Sequence, residues 1–427
     1  MSRTPRILIS GSGIAGNALA LELVRAGIRT TVVERAAAPR PGGQAVDLRG
    51  ASREAAERMG LMPGIRRHQL DERGMTYVDG RGRGYGRMAM EDFDGRGAVA
   101  EIEITRGDLD EVLLDALRAA AASAPVDLLD LRYGDRITAL DQDAGGVDVA
   151  FESGRRERYD LVVGADGVHS ATRRLAFGPE EAFVTNLGGY AAFFTMPTPE
   201  GIEPGWFAMR LVPGAMFGLR PDADPSTSKA IINVRAERDP ALRGDRAAQQ
   251  ALIRGAIEHG GWHAGGILDA MERADDFYFD DLARVDMPSL SNGRVVLIGD
   301  AGTCGSPLTG MGTAMAILAA HLLGRELADA AGADPEAGTL DSAVLADALA
   351  RFERHLAPHV AGSRKIPGGS LAMMLPRTRV MSSLARLNVR IMLSRPMRPI
   401  AKRLFAGGDD DVPLPPSTET AEPAPVE

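Results

Sequence analysis

Residues 6–34 read RILISGSGIAGNALALELVRAGIRTTVVE, and this stretch decides the fold of the chain. Arg6–Ser10 is a short apolar run that predicts a buried strand, and Thr30–Glu34 is a second run rich in β-branched residues. Between them, Ile14–Ala26 has the pattern of a helix that ends near Gly27. A strand, a helix and a strand in this order predict two parallel strands joined by a right-handed crossover.

The turn between the first strand and the helix carries Gly11, Gly13 and Gly16 in the pattern G-x-G-x-x-G. Glycines at these places allow a pyrophosphate to approach the backbone, and the helix N-terminus offers it free N–H groups. Glu34 ends the second strand, where an acid would bind the two hydroxyls of a ribose and repel a 2′-phosphate. The pattern predicts a site for FAD or NAD rather than NADP, and a bare structural turn is the alternative.

Two later segments have the same design of a buried strand, a turn of small residues and a helix. They are DLVVGADGVHSATR (160–173) and GRVVLIGD (293–300), and the second continues as AGTCGSPLTGMGTAM. Asp300 stands where a carboxylate at a strand end would hold a polyol hydroxyl, and the following turn would offer N–H groups to an electron-rich ring. Each segment alone has a purely structural reading, but the three in this order point to one binding site.

The three segments resemble the fingerprints of the class A flavin-dependent aromatic hydroxylases, whose prototype is the p-hydroxybenzoate hydroxylase fold. The resemblance covers about residues 5–375. Two further stretches, RPGGQAVDL (40–48) and ITRGDLDEVLL (104–114), are similar to the tetracycline-inactivating branch of that family. The resemblance implies bound FAD, with NAD(P)H as a transient co-substrate, and it places Arg40 beside the flavin and Asp300 on the ribityl chain.

The resemblance also implies a set of site residues. The residues expected to bind the cofactor are Gly11, Gly13, Ile14, Ala15, Gly16, Glu34, Arg35, Arg40, Asp47, Arg106, Asp166, Gly167, Arg173, Gly299, Asp300, Met311 and Gly312. The loop expected to border the flavin ring contains Pro307, Gly310 and Gly312, and no side chain is assigned as an acid or base.

The third segment departs from the pattern that is common in this family, GDAAHxxPPxxGQGxN. Thr303 replaces its histidine, Ser306 its first proline, Met311 its glutamine and Ala314 its asparagine. These changes are expected to alter the lining beside the ring and with it the substrate class. Cys304 lies in the same loop and is interpreted as a small packing residue, because no activating base or cation is visible in the sequence.

The predicted fold class is α/β (α+β overall), with a Rossmann-like FAD-binding domain, an inserted antiparallel-sheet substrate domain and a C-terminal helix. Short alternating runs predict antiparallel strands from Val126 to Val163, and Asp108 is expected to cap the helix that follows it. The expected ranges are 1–73, 101–180 and 286–368 for the FAD-binding domain, 74–100 and 181–285 for the substrate domain, 369–406 for the C-terminal helical segment and 407–427 for a disordered tail.

The substrate wall is expected on the antiparallel sheet. Its candidate residues are Tyr190, Phe194, Phe207, Met209, Phe217 and Arg220, because they lie on the expected strands. Alternate positions on a strand also face a core, so each has a structural reading as well.

The composition of the chain argues against several classes of protein function. The chain has 427 residues and a net charge of −9, which argues against a general nucleic-acid binder. Its one cysteine allows no intrachain disulfide, and its seven histidines form no ligand-spaced cluster, so no metal site is predicted. The N-terminus lacks the layout of a signal peptide and no apolar run suits a transmembrane helix, so a cytoplasmic location is expected. The sequence does not indicate the oligomeric state.

Eight cationic side chains lie among Leu and Met in the stretch Ser370–Phe405. One interpretation is a surface helix for a membrane or an acidic partner. The other, favoured by the tetracycline-inactivating branch, is a helix packed across both domains with its arginines in solvent.

The resemblance implies a monooxygenase in which NAD(P)H reduces FAD, O₂ gives a C4a-hydroperoxyflavin, and one oxygen atom passes to an aromatic or polycyclic, polyketide-like substrate. An enzyme of antibiotic biosynthesis or resistance fits this reaction. Baeyer–Villiger insertion, a non-oxygenating flavin reductase or oxidase, a non-catalytic drug-binding flavoprotein and a plain NAD-dependent dehydrogenase remain the alternatives.

Overall fold

The structure, a computed structural model, describes residues 4–39, 42–93, 102–305, 307–332, 340–364, 371–397, 400 and 413–415. Arg40, expected beside the flavin, lies outside this set, as does Ser306. Helices and mixed sheets make up the described chain, which confirms the predicted α/β class.

The strands and helices are numbered in chain order. The strands are β1 (Arg6–Ser10), β2 (Arg29–Glu34), β3 (Ala45–Asp47), β4 (Gly74–Val78), β5 (Gly84–Ala89), β6 (Glu103–Thr105), β7 (Leu129–Tyr133), β8 (Ile137–Asp143), β9 (Gly146–Phe151), β10 (Arg156–Tyr159), β11 (Leu161–Gly164), β12 (Val184–Pro197), β13 (Trp206–Val212), β14 (Ala215–Pro221), β15 (Thr227–Val234), β16 (Tyr278–Val285), β17 (Ser291–Asn292) and β18 (Val295–Leu297). The helices are α1 (Ile14–Arg25), α2 (Gly50–Arg58), α3 (Met62–Arg67), α4 (Arg106–Ser123), α5 (Ala171–Ala176), α6 (Arg246–Ile257), α7 (Ala264–Arg273), α8 (Asp300–Thr303), α9 (Gly312–Gly332), α10 (Ser342–Ser363), α11 (Leu371–Met374) and α12 (Arg379–Met392).

A six-stranded sheet holds the opening stretch. Its order is β17-β18-β11-β1-β2-β7. Strand β1 pairs in parallel with β2, as the opening stretch predicts, and it also pairs in parallel with β11. The expectation of antiparallel strands from Val126 to Val163 is wrong at β7, which pairs in parallel with β2, and at β11, which pairs in parallel with β1 and β18. Only β8, β9 and β10 form an antiparallel sheet there, among the described strands. All three glycine-bearing segments therefore follow neighbouring strands of one sheet.

Helices α1, α4, α9 and α10 form the main core with this sheet. Helix α4 begins at Arg106, two residues before the predicted cap Asp108. Thr105 is the capping residue, because its hydroxyl accepts a hydrogen bond from the Asp108 N–H over 3.1 Å. Asp108 instead supplies a carboxylate in the first turn, where it favours the helix dipole.

A seven-stranded sheet, ordered β16-β12-β15-β14-β13-β4-β5, is antiparallel except where β4 runs parallel to β13. Its strands come from residues 74–89 and 184–285. Helices α6 and α7 cover one face and bury residues such as Ile232 and Ile253. The assignment of these sheets to an FAD-binding and a substrate domain, with the ranges given above, stays a prediction.

Residues 371–397, the main described part of the C-terminal segment, do not form one continuous helix. They contain α11, a break over residues 375–378, and α12, which packs against β5 and β13. Within the ranges described, no helix combines the length and hydropathy needed to cross a bilayer.

Candidate functional site

The first loop, residues 10–16, is fixed by contacts that only glycine permits. The Gly11 N–H donates to the carbonyl oxygen of Val33 over 2.7 Å, and Gly11 has a φ of 111°. A β-carbon on Gly16 would lie 1.9 Å from the Gly11 carbonyl oxygen. Helix α1 therefore begins directly against the turn. Its N-cap residue, Gly13, has no side chain that could accept hydrogen bonds from the first N–H groups of the helix.

The acid at the end of β2 is attached to the same loop. Glu34 accepts hydrogen bonds from the backbone N–H of Ser12 over 3.1 Å and from that of Ala36 over 2.8 Å. A carboxylate has four lone-pair positions, so Glu34 retains capacity for ribose hydroxyls. Arg35, the next residue, is exposed.

Arg106 brings a positive charge to this end of α1. Its Nη2 lies 3.8 Å from the position that a β-carbon on Gly13 would take, and the side chain is exposed. Asp47 stands nearby on β3. It forms an ion pair with Arg49 over 3.5 Å, and Arg49 Nη2 lies 3.4 Å from Met311 Sδ.

The second loop, residues 164–170, contains Asp166 and Gly167. Asp166 accepts hydrogen bonds from Ser170 Oγ and from the N–H of Thr172, so it orders the entry into α5. A β-carbon on Gly11 would lie 2.4 Å from the Ala165 carbonyl oxygen, so the first and second loops are in close contact. Gly167 has a φ of 81°, and a β-carbon there would meet nothing within 4 Å.

Arg173 does not point at a cofactor position. It is 0% exposed, and it donates to the carbonyl oxygens of Ala301 (2.8 Å) and Val168 (2.6 Å). Burial lowers the pKa of its guanidinium. The expectation that Arg173 binds FAD or NAD(P)H is therefore corrected to a role in joining the second loop to the third.

The third loop, residues 298–312, contains the candidate ribityl-binding acid. Gly299 has a φ of 57°, and a β-carbon on it would lie 2.9 Å from Ala15 Cβ, so this loop packs on the start of α1. Asp300 is exposed, and it lies close enough to Tyr278 on β16 to influence the pKa of that hydroxyl, so it faces the space between the loops and the seven-stranded sheet, which we call the cleft. Protein surrounds its other sides. This burial raises the pKa of the Asp300 carboxyl, while Arg106 and Cys304 act to lower it.

The expected ring loop lies beside Asp300. Pro307–Thr309 forms a short 3₁₀ turn, Gly310 has a φ of 68°, and α9 begins at Gly312. A β-carbon on Gly312 would lie 3.5 Å from Asp300 Oδ1. The first residue of α9 therefore lies close to the Asp300 carboxylate, and the small size of Gly312 leaves space between the two.

Two of the sequence departures, Thr303 and Ala314, are turned inward. Thr303 is buried and its hydroxyl donates to the Gly299 carbonyl oxygen over 3.0 Å. Ala314 is buried in α9. Cys304 is buried too, with Sγ 3.6 Å from the Ala283 carbonyl oxygen, consistent with its interpretation as a packing residue. Thr303 therefore does not supply the expected change in the lining beside the ring.

One face of the seven-stranded sheet is turned toward the third loop, because Leu308 of that loop belongs to the same apolar cluster as Phe193 and Met216. Phe193 and Met216 are half-buried on this face, and they share an apolar cluster that contains several methionines with Phe207 and Met209 on β13, which are 8% and 4% exposed. Leu308 of the third loop packs against Leu282 on the same face. The cleft therefore has a polar side built from loops and an apolar side built from strands.

Three of the expected substrate residues lie on the opposite face. Phe194 and Phe217 belong to the core under α6 and α7. Tyr190 stacks on Phe279, and its hydroxyl accepts a hydrogen bond from the Asp239 N–H over 2.7 Å. Successive side chains alternate across a strand, so these three residues cannot line the cleft.

Arg220 is held by protein carboxylates. Its Nε donates to Glu72 over 2.6 Å, and it forms a second ion pair with Glu103. Burial alone would lower the pKa of the guanidinium, but the charges of Glu72 and Glu103 outweigh it and raise that pKa. Arg220 therefore ties the sheet to β6 and is satisfied without a substrate.

A hydrogen-bonded chain that the sequence interpretation missed leads away from the cleft. Tyr278 donates from its hydroxyl to Asp280 Oδ2 over 2.8 Å. Asp280 Oδ1 lies 2.9 Å from His169 Nε2, and His169 Nδ1 lies 3.1 Å from Glu180. Tyr278 is close enough to Arg106 and Asp300 for both to influence the pKa of its hydroxyl. The chain ends at a cavity of about 110 Å³ that His169, Arg238 and Arg243 help to line.

The pKa values in this chain have clear causes. The hydrogen bond to Asp280 raises the pKa of His169, against the effect of burial, and Glu180 adds to the rise. Burial opposes ionisation of Asp280, but the bond and charge of His169 outweigh it and hold the Asp280 pKa low. Burial, then the charge of Asp280, raises the pKa of Tyr278. The two carboxylates therefore stabilise the protonated form of His169, and the surroundings of Tyr278 stabilise its neutral phenol.

These residues fit FAD. The uncapped start of α1 beside Arg106 suits a pyrophosphate, Glu34 suits a ribose, and Asp300 suits a polyol chain at the bottom of the cleft. The apolar face opposite suits the planar ring and a hydrophobic substrate.

A separate cavity of about 490 Å³ between residues 67–71 and 221–228 is lined by none of the expected site residues. Over the described ranges, no cluster of three or more His, Cys, Asp or Glu is placed to hold a metal ion.

Comparison with known proteins gives the same assignment. A protein-family model described as an FAD binding domain matches residues 4–349. A flavin-dependent monooxygenase of Legionella longbeachae is 35% identical over 346 residues, which cover 81% of this chain and 86% of that protein. An uncharacterized protein of Mycobacterium tuberculosis is 38% identical over 337 residues, covering 78% and 87%. The crystal structure of tetracycline destructase Tet(51) matches with a TM-score of 0.72 and 30% identity, covering 92% of this chain and 98% of that one.

Proposed function

The chain belongs to the FAD-dependent monooxygenases, and from this membership we propose that it uses NAD(P)H and O₂ to insert one oxygen atom into an aromatic or polycyclic small molecule. The observation that carries the proposal is the cleft itself. Three loops with the design of a dinucleotide site meet around Asp300, and an apolar sheet face lies opposite. The likeness to a tetracycline destructase supports a polycyclic substrate.

The loops would hold FAD by its polar parts. The N-terminus of α1 and Arg106 would bind the pyrophosphate, Glu34 the adenosine ribose, and Asp300 a ribityl hydroxyl. When FAD is bound and has been reduced by a nicotinamide cofactor, it supplies the chemistry that activates O₂, with one oxygen atom passing to the substrate and the other leaving as water. The residues of this chain position and shield that reaction.

The sheet face would hold the substrate. The half-buried Phe193 and Met216 would offer the aromatic and apolar contacts, and the buried Phe207 and Met209 of the same cluster would help to exclude water from this side of the cleft. Phe193 and Met216 take the place of Phe194 and Phe217 in the predicted substrate wall. Tyr278 would keep its proton on Oη, because its pKa is raised, and would accept a hydrogen bond from a polar group of the substrate.

Turnover with product analysis tests the proposal. Purified full-length protein with FAD is mixed with NADH or NADPH and a panel of phenols and aromatic polyketides, including tetracyclines, under ¹⁸O₂. We expect at least one polycyclic compound to accelerate nicotinamide oxidation and to gain one labelled oxygen atom. Fragment masses distinguish ring hydroxylation from Baeyer–Villiger insertion.

Three results would contradict it. Faster nicotinamide oxidation without label in the product indicates a reductase or oxidase. A ligand-induced shift of the flavin spectrum with no faster oxidation indicates a drug-binding protein. Purified protein that binds NAD and retains no flavin indicates a dehydrogenase.

A further inference from the structure

Helix α12 carries apolar residues on its outer side, where a surface helix normally carries polar ones. Val380, Leu384, Leu387 and Ile391 are 71%, 60%, 53% and 49% exposed, respectively. Their spacing of four, three and four residues places them on one stripe along the helix. Thr378 caps the helix by accepting a hydrogen bond from the Met381 N–H, so the stripe belongs to a well-formed helix.

The opposite side of α12 is already occupied by the protein. Ser382 is buried, and Met392 packs with the methionine cluster of the sheet. A β-carbon on Gly86 of β5 would lie 2.7 Å from Val389 Cγ1, which shows how closely the helix is seated. The helix therefore has two apolar sides, one that packs on β5 and β13 and one that faces solvent.

Charge identifies the partner of the outer side. Residues 354–408 contain no aspartate or glutamate, and they contain eleven lysines and arginines. At 100° per residue, Arg379 and Arg390 lie together beside the stripe, about a quarter turn from its centre. Both arginines are exposed. An apolar stripe with cations along its edge, on a helix parallel to the protein surface, is the design of a helix that binds an anionic lipid interface.

A second copy of the chain fits this surface less well. A two-fold contact through one helix, with the copies antiparallel, would bring the stripe against itself and place Arg379 of one copy beside Arg390 of the other. The stripe is also one residue wide and about 17 Å long, given the helical rise, which is a small area for a stable dimer. We propose that α12 docks the protein on anionic lipid membranes, with Val380, Leu384, Leu387 and Ile391 entering the interface and Arg379 and Arg390 contacting lipid phosphates.

Vesicle flotation of the full-length protein tests this proposal without any activity measurement. Vesicles of phosphatidylcholine alone are compared with vesicles that also contain phosphatidylglycerol. We expect at least about tenfold stronger binding to the anionic vesicles at low salt. Binding should weaken at about 1 M salt, where the Debye length falls to about 3 Å.

Two double variants separate the two parts of the surface. L384Q/L387Q keeps good helix formers but removes the apolar anchor, and we expect binding to anionic vesicles to fall by at least about tenfold. R379Q/R390Q removes two charges worth roughly fivefold each, so it should weaken binding to anionic vesicles and leave the weak binding to neutral vesicles unchanged. V126Q is the control, because it changes an apolar residue between α4 and β7 that is 54% exposed. We expect V126Q to bind anionic vesicles as the unchanged protein does.

The far-ultraviolet circular dichroism and the Tm of each variant show whether the fold is retained. The proposal is overturned if the unchanged protein does not float with anionic vesicles, or if V126Q loses as much binding as L384Q/L387Q. It is also overturned if light scattering shows a dimer that L384Q/L387Q dissociates while vesicle binding is absent, because the stripe would then be an interface between copies of the chain.

Discussion

The guanidinium of Arg173 donates a hydrogen bond to the carbonyl oxygen of Ala301 over 2.8 Å, and so joins the second loop to the third from inside the protein. Its other terminal nitrogen bonds to Val168. Lysine has one nitrogen and cannot reach both carbonyls in this geometry. R173K should therefore lower the free energy of unfolding by about 1.5–3 kcal/mol, the usual value of a hydrogen bond to a charged group.

Urea denaturation of the apoprotein measures this effect. The neighbouring Arg174 is exposed, so R174K is a matched control that should change stability by less than about 0.5 kcal/mol. Equal stability of R173K and R174K would show that the buried bridge contributes nothing.

The contact of Gly16 with the Gly11 carbonyl oxygen predicts that G16A displaces α1 from its loop. With the added β-carbon 1.9 Å from that oxygen, the backbone must move. Overpacking of this kind costs about 1–3 kcal/mol or more. We expect a lower urea midpoint and at least about tenfold weaker FAD binding in a flavin fluorescence titration, because the pyrophosphate site shifts with the helix.

Helix α6 provides the control for this substitution. A β-carbon on Gly255 would meet nothing within 4 Å, so G255A should stabilise the protein by about 0.5–1 kcal/mol through helix propensity and leave FAD binding unchanged. A G16A protein that matched G255A in both measurements would contradict the proposed site.

Asp300 predicts opposite effects on stability and on cofactor binding. Burial raises the pKa of the Asp300 carboxyl in the folded protein, so ionisation of this group opposes folding. The resulting loss of stability is complete above the folded pKa and is absent below the unfolded pKa of about 3.9. D300N should make the apoprotein more stable at neutral pH, with the gain vanishing as the pH falls toward 4. The same variant should bind FAD about tenfold to a hundredfold more weakly, because a hydrogen bond to a charged group is lost.

Denaturation at several pH values and a flavin titration check the two halves separately. D269N, which changes an exposed acid on α7, should affect neither. If D300N bound FAD as tightly as the unchanged protein, Asp300 would not hold the ribityl chain.

His169 predicts a pH-dependent contribution to stability. Its folded pKa is raised by Asp280 and Glu180, so the stabilisation is complete below the unfolded pKa of about 6.5 and is lost as the pH rises through the folded pKa. H169Q should lower the free energy of unfolding by about 1.5–3 kcal/mol near pH 6 and by progressively less in alkaline solution. H259Q is the control, since the His259 side chain is 94% exposed, and it should change the free energy of unfolding by less than about 0.5 kcal/mol.

Two adjacent phenylalanines test which face of β12 meets the substrate. Phe194 is buried under α6 and α7, so F194A should cost about 3–5 kcal/mol of stability. Phe193 is only partly buried on the cleft face, and F193A should cost less stability but raise KM for the aromatic substrate. Steady-state kinetics with denaturation separates the two, and the reverse assignment of effects would place the substrate on the other face.

The first loop could be read from the sequence because its chemistry is local. Gly11, Gly13 and Gly16 lie within one turn, and Glu34 follows at the end of the next strand, so spacing alone brings them together. The parallel pairing of β1 with β2 follows from the same spacing.

The direction in which side chains point, and the contacts between residues far apart in the sequence, were harder to predict. Alternation along β12 places Phe193 and Phe194 on opposite faces of the sheet. Each face carries an apolar cluster, so the sequence pattern does not indicate which face meets the cleft. The acceptors of Arg173 include Ala301, 128 residues away, and no local signal shows that its side chain turns inward. Likewise, Tyr278 and Asp280 meet His169 only because β16 crosses the end of the second loop.

The strand order β18-β11-β1 has a consequence for synthesis of the protein. Gly164, the last residue of β11, and Val295, the first of β18, are 131 positions apart (295 − 164), yet their strands are neighbours. At 5–20 residues per second, the ribosome takes roughly 7–26 s to cover that distance. During this interval the edge of β11 has no partner and is open to pairing with other chains. The nascent protein should therefore depend on chaperones at this stage, and its flavin site can form only once nearly three quarters of the chain has emerged.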